Sequence, residues 1–391
     1  MKIVSSFLGI FGLFLLQTSC AGKTSTGLKG TATGERAGAA GQKGAEATKN
    51  DPEAVAKEAE KPIFVRSMAP MQLKCDAGFD LPFMLSEGLS PKNTFLLARF
   101  GTVGSTTLPF DAVSLTKWLN GVGFAKVKLL ESKAQGVQGF VATSARMNLV
   151  VFRGTHSLEG VMTDSKFLVQ SALTDGLPGG VHQGFALAYR SVAANLAQEL
   201  EPESSKSVPT FFVGHSLGGA LATLAALDMH RKGVNIAGMV TLGQPRVGNA
   251  SFAAETEKIL AGKQKRFVNA NDPVPHLPPS GASADVALNS VLEPSTRGTT
   301  LALLNGIGAL TGMTFAKANF THAGVPDMLG QADYAKGRFE SDAVWDGKYW
   351  NSNGQKVQQV VANLAAAMQN PLVNEHFVPS YLCELAKTLA Q

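Results

Sequence analysis

The stretch Thr210-Phe-Phe-Val-Gly-His-Ser-Leu-Gly-Gly-Ala220 decides how the rest of the chain is read. It opens with an apolar run suited to a buried strand, and the following Leu221-Ala-Thr-Leu-Ala-Ala-Leu-Asp-Met229 is a good helix former. Between them, Gly214-His215-Ser216-Leu217-Gly218 has the form Gly-x-Ser-x-Gly. A serine on a sharp strand-to-helix turn stands clear of the sheet, and glycines on both sides let neighbouring backbone approach with no Cβ in the way. The helix N-terminus behind it directs unpaired N–H groups at any negative charge developing beside the serine oxygen. Ser216 is therefore the candidate nucleophile, and the backbone N–H of Leu217 a candidate oxyanion donor.

Working outward, Gly139-Phe-Val-Ala-Thr143, a polar turn at Ser144 to Arg146, and Asn148-Leu-Val-Val-Phe152 form an expected hairpin. It runs directly into Arg153-Gly-Thr-His-Ser157. The patterning then predicts a helix from Leu221 to Arg231 stopped by Gly233, and a strand over Gly238–Leu242. A helix over Ser251–Leu260 and a strand over Lys265–Asn269 follow, leading into the loop Ala270-Asn-Asp-Pro273. Strands alternating with helices after an initial hairpin predict an α/β fold, with a mostly parallel sheet covered on both faces.

A serine hydroxyl needs a base within hydrogen-bond reach, and the base needs an acid to fix its tautomer. On α/β sheets carrying such a turn the chain order is serine, acid, histidine. Asp272 follows a strand directly and is fixed by Pro273, which places it at a strand's carboxyl end on the rim of the serine turn. Asp228 lies on the helix after the turn and is expected to face away; Asp327 and Asp342 sit in weakly patterned stretches. Asp272 is the candidate acid. Of the seven histidines, His156, His182, His215 and His230 precede the acid or adjoin the turn, where His215 is expected to pack. His276 is only four residues from Asp272 in a stiff proline loop. His322 and His376 remain, and spacing does not choose between them.

Several segments together resemble the class 3 lipases, the fungal-lipase-like branch of the α/β-hydrolases. They are Phe152-Arg-Gly-Thr-His-Ser157, Thr163-Asp164, Val181-His-Gln-Gly-Phe185, Gly214-His-Ser-Leu-Gly-Gly-Ala-Leu-Ala222, Gly243-Gln-Pro-Arg-Val-Gly-Asn249 and Asn271-Asp-Pro-Val-Pro-His-Leu-Pro-Pro279. The resemblance covers roughly residues 95 to 385 and implies an α/β-hydrolase fold with a nucleophile elbow. Phe320-Thr-His-Ala-Gly324 matches a family segment whose histidine is not the catalytic one. The family's base comes later, with a tyrosine four or five residues on, which His376 and Tyr381 match. The resemblance thus assigns Ser216, Asp272 and His376 as the triad. Glu375 stands just before the base, where many members carry aspartate. The family's second oxyanion donor maps to Thr155, and its lid to Ser157–Asp164, where Val161 replaces a frequent tryptophan.

That resemblance implies a serine hydrolase of carboxylic esters, acting on acylglycerols or other lipids through an acyl-enzyme, with neither metal nor organic cofactor. Alternatives are a phospholipase A1 or short-chain esterase on the same fold and, in another class, an inactive surface-tethered binding module. Residues 299–315 are few in charges and hold several glycines, so they read as either a mobile apolar flap or a packed helix.

The first residues carry Lys2, the apolar run Phe7–Leu16, and a small-residue exit, Gln17-Thr-Ser-Cys-Ala21. This is the pattern of a secretory signal over 1–20, with Cys20 where a bacterial lipoprotein signal places its lipidated cysteine. Residues 21–62, rich in Gly, Ala, Thr, Lys and Glu, read as a tether that cannot bury enough apolar surface to offset ordering. Residues 63–391 form the catalytic domain. Export, either to the cell envelope as a lipoprotein or into the medium, is therefore expected. An exported compartment permits a disulfide between Cys75 and Cys383; two free thiols are the other reading. The chain has 391 residues and a net charge of +5, and no basic block interleaved with aromatics, so nucleic acid is not an expected partner. A lipid or membrane surface is.

Overall fold

The sheet is built in the order in which the chain supplies its strands. The computed structural model describes residues 61, 63–64, 82–103, 112–154, 170–172, 179–280, 286–287, 319–330, 342–362 and 376–389. Strands β1 (Lys126–Ser132), β2 (Val137–Thr143) and β3 (Asn148–Phe152) form an antiparallel meander. Next come β4 (Thr210–His215), β5 (Ile236–Leu242), β6 (Gln264–Asn269) and β7 (Asp327–Leu329), each parallel to the strand before it. The result is one seven-stranded sheet in the order β7-β6-β5-β4-β3-β2-β1.

Side-chain alternation along the central strands divides the core into two layers. In β3, Val150 and Phe152 pack on one face and Leu149 and Val151 on the other; in β4, Phe212 opposes Phe211 and Val213. Because both faces are covered, these strands read as continuous apolar runs rather than alternating ones. The first face carries α3 (Gln183–Leu200), α4 (Leu217–Arg231) and α5 (Ala250–Leu260). The second carries α1 (Pro91–Val103), α2 (Ala112–Val122) and α7 (Val378–Leu389). Another helix, α6, spans Asp342–Ala362. Helix α4 is buried along almost its whole length, from Gly218 to Leu227 and at Met229, since it lies against the sheet, α3 and α5. Asp228 points out of that packing and accepts from the Tyr189 hydroxyl of α3 at 2.6 Å.

A small antiparallel sheet gathers Phe320–Thr321, Gly248–Asn249, Gly180–His182 and Gln170–Ala172. Its residues also start helices. The His182 Nδ1 accepts from the Phe185 N–H at 3.3 Å to cap α3, and Asn249 caps α5 through Phe252 N–H at 3.2 Å.

The architecture is the mostly parallel, two-face-covered sheet that the sequence predicts, with differences at its ends. Helix α4 begins four residues before the predicted Leu221, because the elbow serine itself starts the turn. Strand β1 and helices α1 and α2 have no counterpart in the sequence reading. Asp327 opens β7 and pairs with Lys265 at 3.2 Å. The expectations for residues 1–60, Cys75, Thr155, 157–164, 299–315 and Glu375 lie outside the described residues.

Candidate active site

The elbow between β4 and α4 is held by close backbone packing. Ser216 has φ 55° and ψ −128°, a conformation that costs an L-residue about 1–3 kcal/mol and persists only where its surroundings enforce it. The flanking glycines show what enforces it. A Cβ on Gly214 would lie 2.1 Å from the Gly218 carbonyl oxygen, and one on Gly218 would lie 2.2 Å from the Phe152 carbonyl oxygen. Neither position tolerates a side chain. The Ser216 N–H donates to Leu242 O at 2.9 Å, which ties the turn to β5. Its hydroxyl does not cap α4. Leu217 opens that helix, so its N–H is among those the helix leaves directed towards the turn.

Asp272 lies three residues beyond the end of β6, on the rim reached by the carboxyl ends of the parallel strands, where Ser216 also sits. It is fully buried. Its carboxylate accepts from the Val274 N–H at 2.9 Å, from the Tyr381 hydroxyl at 2.5 Å, and from His376 Nδ1 at 2.9 and 2.8 Å. The Tyr381 oxygen in turn accepts from the Asn269 N–H at 3.1 Å. Because a carboxylate at Nδ1 takes that nitrogen's proton as a hydrogen bond, the lone pair of a neutral His376 resides on Nε2. A buried carboxylate with three donors orients the imidazole and stabilises its protonated form.

The structure thus brings Asp272 and His376 together across 104 residues of chain and places His215, the neighbour of Ser216, against the same imidazole. The rings of His215 and His376 have centroids 4.7 Å apart. Among the described residues the Ser216 hydroxyl makes no hydrogen bond, so the serine–histidine link is not closed in this structure. Such links are often long without substrate and tighten in the complex.

Gly243 is a site residue that the sequence reading passed over within Gly243-Gln-Pro-Arg-Val-Gly248. Its φ is +56°, and a Cβ there would meet Asp272 Oδ2 at 2.7 Å and His376 Nδ1 at 3.0 Å. The Asp272–His376 pair therefore occupies the space a side chain would take. Behind the acid loop, Arg246 donates from Nη2 to Asp346 Oδ1 of α6 at 2.6 Å and from Nη1 to Pro278 O at 3.0 Å. His276 Nδ1 lies 2.8 Å from the same Asp346 oxygen and its ring stacks on Tyr349 at 3.7 Å. Tyr349 donates to Asn271 O at 3.2 Å. Nothing in the pattern of α6 signals that its Asp346 is fully buried and charge-paired with Arg246. His322 is also buried, with Nε2 2.7 Å from Pro275 O, so it supports the loop from outside the acid–base pair.

Residues 149–282 match the family model for lipase (class 3). This segment belongs to the class 3 lipase family. The class 3 lipase segment runs from β3 through the elbow to the loop after Asp272; His376 lies beyond it, and its placement rests on the geometry above. Relatives include a secreted mono- and diacylglycerol lipase 1 from Fusarium solani, 39% identical over 150 residues, which are 37% of this chain and 44% of that protein. Secreted mono- and diacylglycerol lipase A from Penicillium cyclopium is 36% identical over 155 residues, 38% of this chain and 49% of that protein. A lipase from Rhizopus niveus is 32% identical over 182 residues, 44% of each chain. The chain spans about half the length of these relatives.

Proposed function

We propose that this chain is a serine hydrolase of carboxylic esters, cleaving acylglycerols or related lipids through an acyl-enzyme. Ser216 attacks the ester carbonyl, His376 takes the hydroxyl proton and returns it to the leaving alcohol, and Asp272 orients His376 and stabilises its charged form. The Leu217 N–H and Thr155 hold the oxyanion, and water attacks the acyl-enzyme with His376 again as base. The observation that carries the reading is the buried Asp272–His376 pair, its imidazole 4.7 Å from the ring of His215, which precedes a strained elbow serine whose hydroxyl makes no capping bond. The similarity of 149–282 to lipases that act on glycerides supports the lipid class.

Export belongs to the same proposal, supported by the signal-like pattern over 1–20 and by relatives described as secreted. Cys20 is the proposed point of lipid attachment, with 21–62 as tether and 63–391 as catalytic domain. Cys383 is disulfide-bonded, and Cys75 is its proposed partner. Residues 157–164 are the proposed contact with a lipid surface, and 299–315 keep two readings, a mobile apolar flap over the acyl site or a packed helix.

A panel of emulsified mono-, di- and triacylglycerols, phospholipids and soluble short-chain esters tests the assignment. Fatty acid release from acylglycerols, abolished in Ser216→Ala, is the expected result. Release from the phospholipid sn-1 position alone would make it a phospholipase A1, and turnover of soluble esters alone an esterase. No turnover of any ester by folded protein would leave a binding module.

A further inference from the structure

His215, buried beside the elbow serine in the chain, is a chemically capable group with no task in the proposed mechanism. It is the last residue of β4, paired with Leu242 of β5, so its backbone is fixed by the sheet. Its ring is buried against the rings of His376 and Tyr381, and Gly154 approaches so closely that a Cβ there would come within 2.8 Å of Nδ1. From that position Nε2 lies 2.6 Å from the main-chain carbonyl oxygen of His376. A carbonyl only accepts, so Nε2 carries the hydrogen and donates it. The carbonyl is available because the Ser380 N–H, one turn on, goes to Phe377 O instead.

We infer that His215 is a positioning residue, which clamps the backbone of the base to the strand that carries the nucleophile. The inference rests on the proposed serine-hydrolase reading. Asp272 fixes the imidazole of His376 through Nδ1, but a side-chain bond alone leaves the backbone free to shift the ring along the rim. The His215 bond supplies the second point. It runs from the residue adjacent to Ser216 to the base itself, across 161 residues of chain, and bypasses the acid. Positional errors of about 1 Å in such a constellation cost on the order of 100-fold in rate.

The neutral state of His215 suits this task. Burial and the neighbouring His376 lower its pKa to about 3, so the ring remains uncharged at working pH. A cation with its ring centroid 4.7 Å from that of His376 would oppose the imidazolium that forms there during catalysis; a neutral donor does not. Nδ1 is buried and has no hydrogen-bond partner among the described residues, so the ring's contribution to this network is the single bond from Nε2.

The test compares His215→Leu, which removes the donor at similar bulk, with His215→Gln, whose amide N–H reaches about as far as Nε2. Both are made in the full chain and assayed on a soluble p-nitrophenyl ester and by the rate of fluorophosphonate labelling. H215L should lower kcat and the labelling rate constant by about 10- to 100-fold with KM little changed, and H215Q should recover most of that loss. Wild-type rates in H215L, or equal losses in a folded H215L and H215Q, overturn the inference in favour of simple packing. If H215L does not fold, H215Q decides: near-wild-type rates support the clamp, and a large loss contradicts it. If neither folds, the residue's role is structural and the inference fails. An inert wild-type protein would sink the proposed function instead, so the two failures are distinguishable.

Discussion

At Gly243 the side chains of Asp272 and His376 press against a single Cα, and the absence of one carbon allows both to be there. Gly243→Ala would force the new methyl to within 2.7 Å of Asp272 Oδ2 at a φ of +56°, so strain and displacement act together. We expect G243A to lose about 1–3 kcal/mol of stability and most of its ester turnover, read by urea unfolding and by kcat. An active G243A would show that the pair tolerates displacement. His215 gives a pH signature. Its pKa is near 6.5 unfolded and about 3 folded, so between those values the unfolded chain binds a proton that the folded chain refuses. Stability is therefore lost as pH falls through this window, by on the order of 5 kcal/mol when complete. Burial holds His276 below its ordinary value with the same sign. Urea midpoints measured from pH 7 to pH 4 should fall less steeply in H215Q than in the wild type; parallel curves would contradict the assignment.

At the scale of elements, the acid loop is held from behind by α6. Arg246 and Asp346 are both fully buried, and His276 shares the same carboxylate oxygen. Removing one partner of a buried pair leaves the other uncompensated, which typically costs about 3–5 kcal/mol. Asp346→Asn should therefore lower the thermal midpoint markedly, and kcat should fall with it because the loop that carries Asp272 loses its anchor. A D346N protein with unchanged stability would show that α6 does not brace the loop. This contact also marks where sequence reading stops. The run from β4 through the elbow into α4 is legible because its causes are local: apolar strand, two glycines, helix former. Asp272 is legible because a strand end and a proline flank it. Asp346 gives no such sign, since its role depends on an arginine 100 residues away. Strand β1 did carry a signal, the alternation of Lys126-Val-Lys-Leu, but its edge position gives it a half-exposed pattern unlike the apolar central strands.

Across the whole molecule, the parallel strands bring their carboxyl ends to one rim, and the segment leading into α7 returns His376 to Asp272 there. Residues alone left His322 and His376 open, because the distance from Asp272 is set by how α7 packs beside α1 on the sheet's second face. Similarly, the expectation that His215 packs at the turn captured its burial and missed its bond to His376 O, a contact with no local cause. On the proposed reading, Ser216 is a nucleophile activated by this distant pair. The most direct measurement is fluorophosphonate labelling of the full chain, followed by mass spectrometry of the modified peptide. One adduct is expected, on Ser216, absent in Ser216→Ala and formed about 1,000-fold or more slowly in His376→Ala. A folded protein that takes no label, or takes it equally fast without His376, would contradict that reading.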